Sequence, residues 1–264
     1  MIIEYYRPQT VEEALALIQR ENPVTLPMGG GSALSQPSAE PIAVVDLQAL
    51  GLNQLHRRGH LLELGATMTL QQLSDALGEL SGDGDGMVPA LLEVIRREAT
   101  HNLRQVATVA GTLVAADGRS PFTTALLALD AALEARGGAS GASAVEQVSL
   151  GDLLPMRAEA LKGRLIVGVR LSLNLRLAYE YVARTPSDWP LVCAAAARWP
   201  SGRTRVALGG YGKAPILAMD GPQPEGAGVA AGSAYRDAAD EWASAEYRQE
   251  IAATLTRRCL AQLA

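Results

Sequence analysis

Three consecutive glycines, Gly29-Gly30-Gly31, follow directly on a short apolar run, Val24-Thr25-Leu26-Pro27, and lead through Ser32 and Ala33 to Leu34. No other feature limits the possible folds as strongly. A strand that ends in residues without side chains lets another backbone, or a ligand, come closer than any Cβ allows. A second segment of small residues, Ala107-Thr108-Val109-Ala110-Gly111-Thr112, lies further along. A diphosphate is a compact dianion, and a backbone that holds it must bring several N–H groups onto it at once. Both segments have that character, and each adds a hydroxyl donor, Ser32 and Thr112. Taken singly, each reads equally as a tight turn. Neither is a Gly-x-Gly-x-x-Gly fingerprint with a crossover helix, and no Gly-Lys-Ser or Gly-Lys-Thr occurs.

The 264 residues are 48% hydrophobic, enough for the cores of one or two domains. A net charge of −5 gives no field to attract a phosphate backbone, so nucleic acid is not an expected partner. The two cysteines, Cys193 and Cys259, are too few for an iron–sulfur cluster or a structural zinc, and read as buried, reduced thiols. The first residues lack the basic region and apolar core of a signal peptide, and no apolar run reaches the ~18 residues of a membrane span. The expectation is a cytoplasmic chain.

Apolar spacing sets out the elements. Thr10 and Glu13 have capping-box spacing, and Ala14, Leu15, Leu17 and Ile18 continue an amphipathic helix over 10–20. Strands are predicted over 24–27, 42–47 and 60–64. Thr69 and Gln72 repeat the capping box ahead of a helix over 70–77. Residues 81–86, Ser-Gly-Asp-Gly-Asp-Gly, read as a surface loop without the carboxylate spacing and closing glutamate of a calcium site. Helices over 87–98 and 123–133 flank an irregular stretch at 104–121, and a strand follows over 165–173. Beyond residue 175 come strands over 176–183, 191–198 and 203–208, a mobile loop over 221–232, and a terminal amphipathic helix over 244–262. His56 and His60 read as solvated loop residues, and His101 as a cap or surface group. There is no Ser–His–Asp order with a nucleophile elbow, no metal-ligand cluster and no activated cysteine motif, so no catalytic side chain is predicted.

The wording around the second segment is more specific. Arg104-Gln105-Val106-Ala107-Thr108-Val109-Ala110-Gly111-Thr112 continues through Ala116-Asp117-Gly118-Arg119-Ser120-Pro121 to Ala125-Leu126-Leu127-Ala128-Leu129-Asp130-Ala131. This resembles the FAD-binding medium subunit of the carbon monoxide dehydrogenase and xanthine dehydrogenase family of molybdenum hydroxylases. Tyr6-Arg7-Pro8, Gly30-Gly31-Ser32-Ala33-Leu34, Arg184 with Asp188, Arg205 to Gly210 and Ala243 to Arg248 are similar to that family in the same order.

The resemblance implies an α+β fold, with a two-part FAD-binding domain of the PCMH/vanillyl-alcohol-oxidase type over 1–172 and a smaller α+β C-terminal domain over 175–264. It implies FAD held by Met28, Gly29, Gly30, Gly31, Ser32, Ala33, Leu34, Thr108, Val109, Ala110, Gly111, Thr112, Asp117 and Ile166. It also implies partners: a [2Fe-2S] small subunit and a molybdenum-cofactor large subunit, in a dimer of heterotrimers. The chain departs from the family pattern at Ala110, where a second glycine is usual, at Pro121, where an aspartate stands, and near Tyr181, where a lysine is common. An alanine at 110 requires a negative φ. Two other readings stay open: a flavin-free scaffold subunit that keeps the fold, and an independent flavin oxidase. A valine at Gly30 or Gly111 is expected to empty the site and spare the fold.

Overall fold

A computed structural model describes residues 1–35, 40–80, 86–138, 141 and 144–264. Residues 81–85 of the Gly-Asp stretch lie outside the described residues. The chain forms two compact units. The first contains Met1–Leu73, His101–Ala115 and Ala132–Leu171, and the second contains Ser74–Thr100, Ala116–Ala131 and Ser172–Ala264.

The first unit holds two sheets. Strands β1 (Ile2–Tyr6), β2 (Thr25–Met28) and β3 (Ile42–Asp46) run parallel in the order β1-β3-β2. The helix Val11–Ile18 starts where predicted, with Thr10 accepting the Glu13 N–H. It buries Ala14 and Leu15 against Val45, Leu47 and Leu165. The second sheet has the order β4-β5-β8-β6-β7, with β4 Leu55–Arg58, β5 Leu61–Gly65, β6 Ala132–Gly137, β7 Val145–Ser149 and β8 Arg164–Ser172. His56 is therefore in a strand rather than a loop, though it is exposed; His60 sits in the β4–β5 turn.

Several expectations need correction. β1, β4, β6 and β7 are strands that periodicity did not show. The helix expected over 123–133 spans Pro121–Ala128, because Asp130 turns to φ 58° and Ala132 opens β6. The stretch 104–121 is not irregular throughout: His101–Arg104 and Val109–Ala115 are helical. The capping box at Thr69 and Gln72 is reciprocal as predicted. Thr69 Oγ1 accepts the Gln72 N–H at 3.1 Å, and Gln72 Oε1 accepts the Thr69 N–H at 2.9 Å.

The second unit is an antiparallel sheet in the order β12-β11-β10-β9, with β9 Arg176–Val182, β10 Val192–Arg198, β11 Thr204–Gly209 and β12 Ile216–Gly221. One face carries the helices Ala227–Ala234 and Ala245–Gln262, with Ala227, Ala231, Leu255 and Cys259 packed on Val192, Ala194, Val206 and Leu208. The helices Val88–Glu98 and Pro121–Ala128 also pack on this sheet. Val192 through Ala197 are all buried, which is why this strand reads as an unbroken run of small apolar residues. Of the loop expected over 221–232, residues 222–226 are irregular, Gly221 closes β12, a further strand that periodicity did not show, and 227 onward belong to the helix Ala227–Ala234. Both cysteines are buried and free, and burial pushes the Cys193 thiol up to about 11.

Arg248 is fully buried in this unit. It pairs with both Asp240 carboxylate oxygens at 2.9 Å and donates to the carbonyls of Leu191, Ala238 and Ala243 at 3.2, 2.8 and 3.0 Å. A buried guanidinium is tolerated only when its donors are matched in this way.

Candidate flavin site

The first glycine segment leaves the sheet at Met28, whose partner in β3 is Asp46. Gly31 adopts φ 74°, a left-handed conformation that favours glycine, and the chain closes a turn with the Ser35 N–H on Gly31 O at 2.9 Å. The backbone N–H groups of Gly29 through Leu34 donate to no described residue. Unsatisfied N–H groups crowded into one turn form an anion-binding nest.

The second segment differs. Val109 donates to Met68 O at 2.8 Å, Ala110 to Ala66 O at 3.1 Å, Gly111 to Thr108 Oγ1 at 3.1 Å and Thr112 to Thr108 O at 2.8 Å. The Thr112 hydroxyl donates to Thr108 O as well. The donors at 109–112 are thus engaged inside the protein. Ala110 is helical and its φ is not positive, so the alanine carries no left-handed strain.

The two segments touch. A Cβ on Gly30 would stand 1.5 Å from Val106 O, and one on Gly29 would stand 2.5 Å from Thr108 Oγ1. The glycines are therefore required first by protein-to-protein approach.

Both segments line a cavity of about 1120 Å³. That exceeds the ~300–1,000 Å³ usual for small-ligand sites and suits a dinucleotide. Of the predicted residues, Met28 through Leu34, Thr108, Ala110, Gly111 and Ile166 line it. Val109 and Thr112 do not; Val109 is fully buried in the core. Asp117 belongs to the second unit, where its carboxylate accepts the Arg119 N–H at 2.8 Å.

The cavity also holds basic side chains outside the expected set of FAD-binding residues. Arg20, Arg157, Lys162 and Arg164 line it, against the carboxylate of Glu21. Arg20 is held by Glu4 at 3.0 Å and by the Tyr6 hydroxyl at 2.8 Å; hydrogen bonds from Tyr6 and Arg20 keep Glu4 below the usual carboxylate range. Arg164 pairs with Glu146 at 2.7 Å, and Arg157 donates to Leu113 O at 3.2 Å. Lys162 makes no ion pair among the described residues. The one sequence signal is the closeness of Arg157 and Lys162, just ahead of β8, to Arg164 at its first position, in an acidic chain. Unengaged N–H groups, surplus positive charge and this volume together fit a diphosphate dinucleotide.

Two of the departures noted above, Pro121 and the position near Tyr181, lie in the second unit. Pro121 is the first residue of a helix whose start Ser120 caps, and the Glu98 carboxylate accepts the Phe122 N–H at 2.9 Å and the Ser120 hydroxyl at 2.8 Å. The Glu98 carboxyl group thus stands at the start of this helix. Near Tyr181 a cation is supplied by Arg97, whose guanidinium lies 3.7 Å from the ring centroid.

Residues 1–171 match the family described as the FAD binding domain in molybdopterin dehydrogenase. YgfM of Escherichia coli strain K12, itself described as uncharacterized, is 28% identical over 213 residues, covering 80% of this chain and 75% of YgfM. The reconstituted CO dehydrogenase from Oligotropha carboxidovorans matches with a TM-score of 0.81 at 23% identity, over 99% of this chain and 97% of the matched chain. Quinoline 2-oxidoreductase from Pseudomonas putida 86 matches with a TM-score of 0.77 at 22% identity, over 99% and 96%. At such identities the two structures establish the fold, and the family match carries the rest. The chain belongs to the family of FAD-binding domains of the molybdopterin dehydrogenases, which are oxidoreductases, and FAD is its cofactor.

Proposed function

We propose that this chain is the electron-transfer subunit of a molybdenum hydroxylase, taking electrons from a [2Fe-2S] subunit and passing them to an external acceptor. The reducing substrate would be oxidised on a separate molybdenum-cofactor subunit, and the assembly would be a dimer of heterotrimers. Residues 1–172 would serve as the FAD-binding domain and 175–264 as the C-terminal domain. The observation that carries this reading is the row of N–H groups from Gly29 to Leu34, which donate to no described residue and line a dinucleotide-sized cavity.

When bound, the isoalloxazine supplies the redox chemistry. The chain's own residues bind, orient and shield. The Gly29–Leu34 amides and the Ser32 hydroxyl would hold the diphosphate. Thr108, Ala110 and Gly111 would form the facing wall, and Ile166, 5% exposed in β8, would present an apolar surface that excludes water.

Purification of the chain tests this. It should be yellow, release FAD rather than FMN on heating, and bleach with dithionite. It should be inert toward reducing substrates until the iron–sulfur and molybdenum chains are added. A colourless chain that takes up no added FAD would leave only the scaffold reading; substrate-dependent bleaching of the isolated chain would favour an independent oxidase.

A further inference from the structure

We propose that Lys162 binds the cofactor's diphosphate, as the side-chain cation that acts where Val109 to Thr112 have no N–H to offer. This rests on the FAD reading above. A diphosphate set between two loops would be bonded from both sides if both had unengaged amides. Here Val109, Ala110, Gly111 and Thr112 direct theirs to Met68, Ala66 and Thr108. Of that segment only the Thr108 N–H has no described acceptor, so that side of the dianion depends mainly on side chains.

The cavity provides them. Of its cations, Arg20 is committed to Glu4 and Arg164 to Glu146. Arg157 reaches the Leu113 carbonyl. Lys162 has no counter-ion among the described residues, although the chain as a whole is acidic at −5. Its backbone is fixed by its N–H on Glu159 O at 3.2 Å, and Gly163, at φ 65°, turns the chain from it into β8. A lysine ammonium has three rotatable donors and a compact charge, which suits an oxyanion that arrives with the ligand better than a fixed planar fork would.

The test is equilibrium dialysis of the full chain, stripped of flavin, against FAD and against riboflavin at low and moderate salt. Lys162→Met is expected to weaken FAD binding on the order of tenfold, the loss of one charge-assisted bond. It should also flatten the salt dependence of FAD affinity and leave riboflavin, which has no phosphate, unchanged. Lys162→Arg should recover most of the FAD affinity. Equal FAD affinity in wild type and Lys162→Met overturns the proposal, as does a parallel loss of FAD and riboflavin, which would mark general damage to the cavity. A wild-type chain that binds riboflavin and FAD equally also overturns it, and one that binds neither removes the FAD reading itself.

Discussion

Thr108 accepts the Gly111 N–H on its hydroxyl oxygen at 3.1 Å. The same oxygen stands 2.5 Å from where a Cβ on Gly29 would be, and 2.6 Å from the equivalent point on Gly111. One buried hydroxyl thus fills the space that both glycines leave open. Thr108→Val keeps the shape and removes the acceptor, leaving the Gly111 N–H without a partner. The expected cost is about 1 kcal/mol of stability, as for loss of a helix cap, with weakened FAD binding. Thr108→Ser should retain both. Urea midpoints and FAD titrations of the two variants check this, and equal behaviour would show that the hydroxyl is not needed.

Gly30 and Gly111 should respond differently to alanine. At Gly30 the new Cβ meets the Val106 carbonyl at 1.5 Å, and backbone cannot move aside cheaply. At Gly111 it meets the Thr108 hydroxyl oxygen, the end of a rotatable side chain, within a helix that accepts alanine. Gly30→Ala is expected to cost several kcal/mol, on the order of the larger single-site effects, and Gly111→Ala roughly 1. This revises the expectation that a side chain at either position would empty the site and spare the fold. Parallel denaturant titrations decide it, and a Gly30→Ala as stable as Gly111→Ala would contradict the packing.

Glu98 should make stability depend on pH. Burial raises its carboxyl from an ordinary 4.5 to about 7, against the Phe122 N–H and the Ser120 hydroxyl, which lower it. Between those values the folded chain holds a proton that the unfolded chain has released, so this group's contribution falls as pH rises through about 4.5 to 7. Glu98→Gln keeps the acceptor oxygen and cannot ionise. It should be more stable than wild type at pH 8, by roughly 1–3 kcal/mol, with the difference shrinking steadily toward pH 5 and vanishing only below about pH 4. Urea midpoints at pH 5, 6, 7 and 8 measure this, and a constant difference across the series would place the effect elsewhere.

Asp130 combines a left-handed backbone with ion pairs. At φ 58° it pairs with Arg203 at 2.9 Å and with Arg205 at 2.7 Å, and both arginines also reach Asp220. Asparagine tolerates this conformation and alanine does not. Asp130→Ala should therefore be less stable than Asp130→Asn by about 1 kcal/mol, although both lose the charge. Chemical denaturation of the pair measures the difference, and equal stabilities would mean the backbone relaxes at no cost.

What the sequence disclosed depended on whether a local rule and the tertiary context agreed. Thr69 and Gln72 announced a helix start because a capping box acts within one turn. Leu191 to Arg198 read as a strand because burial on both faces leaves only small apolar residues. β6 stayed hidden, since Ala132-Leu133-Glu134-Ala135-Arg136 is made of good helix formers and becomes a strand only between β7 and β8. The helix Val109–Ala115 stayed hidden for the opposite reason: valine, threonine and glycine are weak helix formers, and its start is fixed by Thr108 and by acceptors at Ala66 and Met68. The glycine segments were legible at the site because missing side chains leave a mark. Lys162 was not, because its closeness to Arg157 and Arg164 gains meaning only once a cavity surrounds all three.

The backbone passes between the two compact units five times along its length. A protein shortened after residue 172 would retain the helices Val88–Glu98 and Pro121–Ala128 but lose β9 through β12, the strands they pack on. Their apolar faces would then be open to water and to other copies. A flavin-binding portion cut at that point is therefore expected to be less soluble than the whole chain, because two of its helices are left without the strands they pack on.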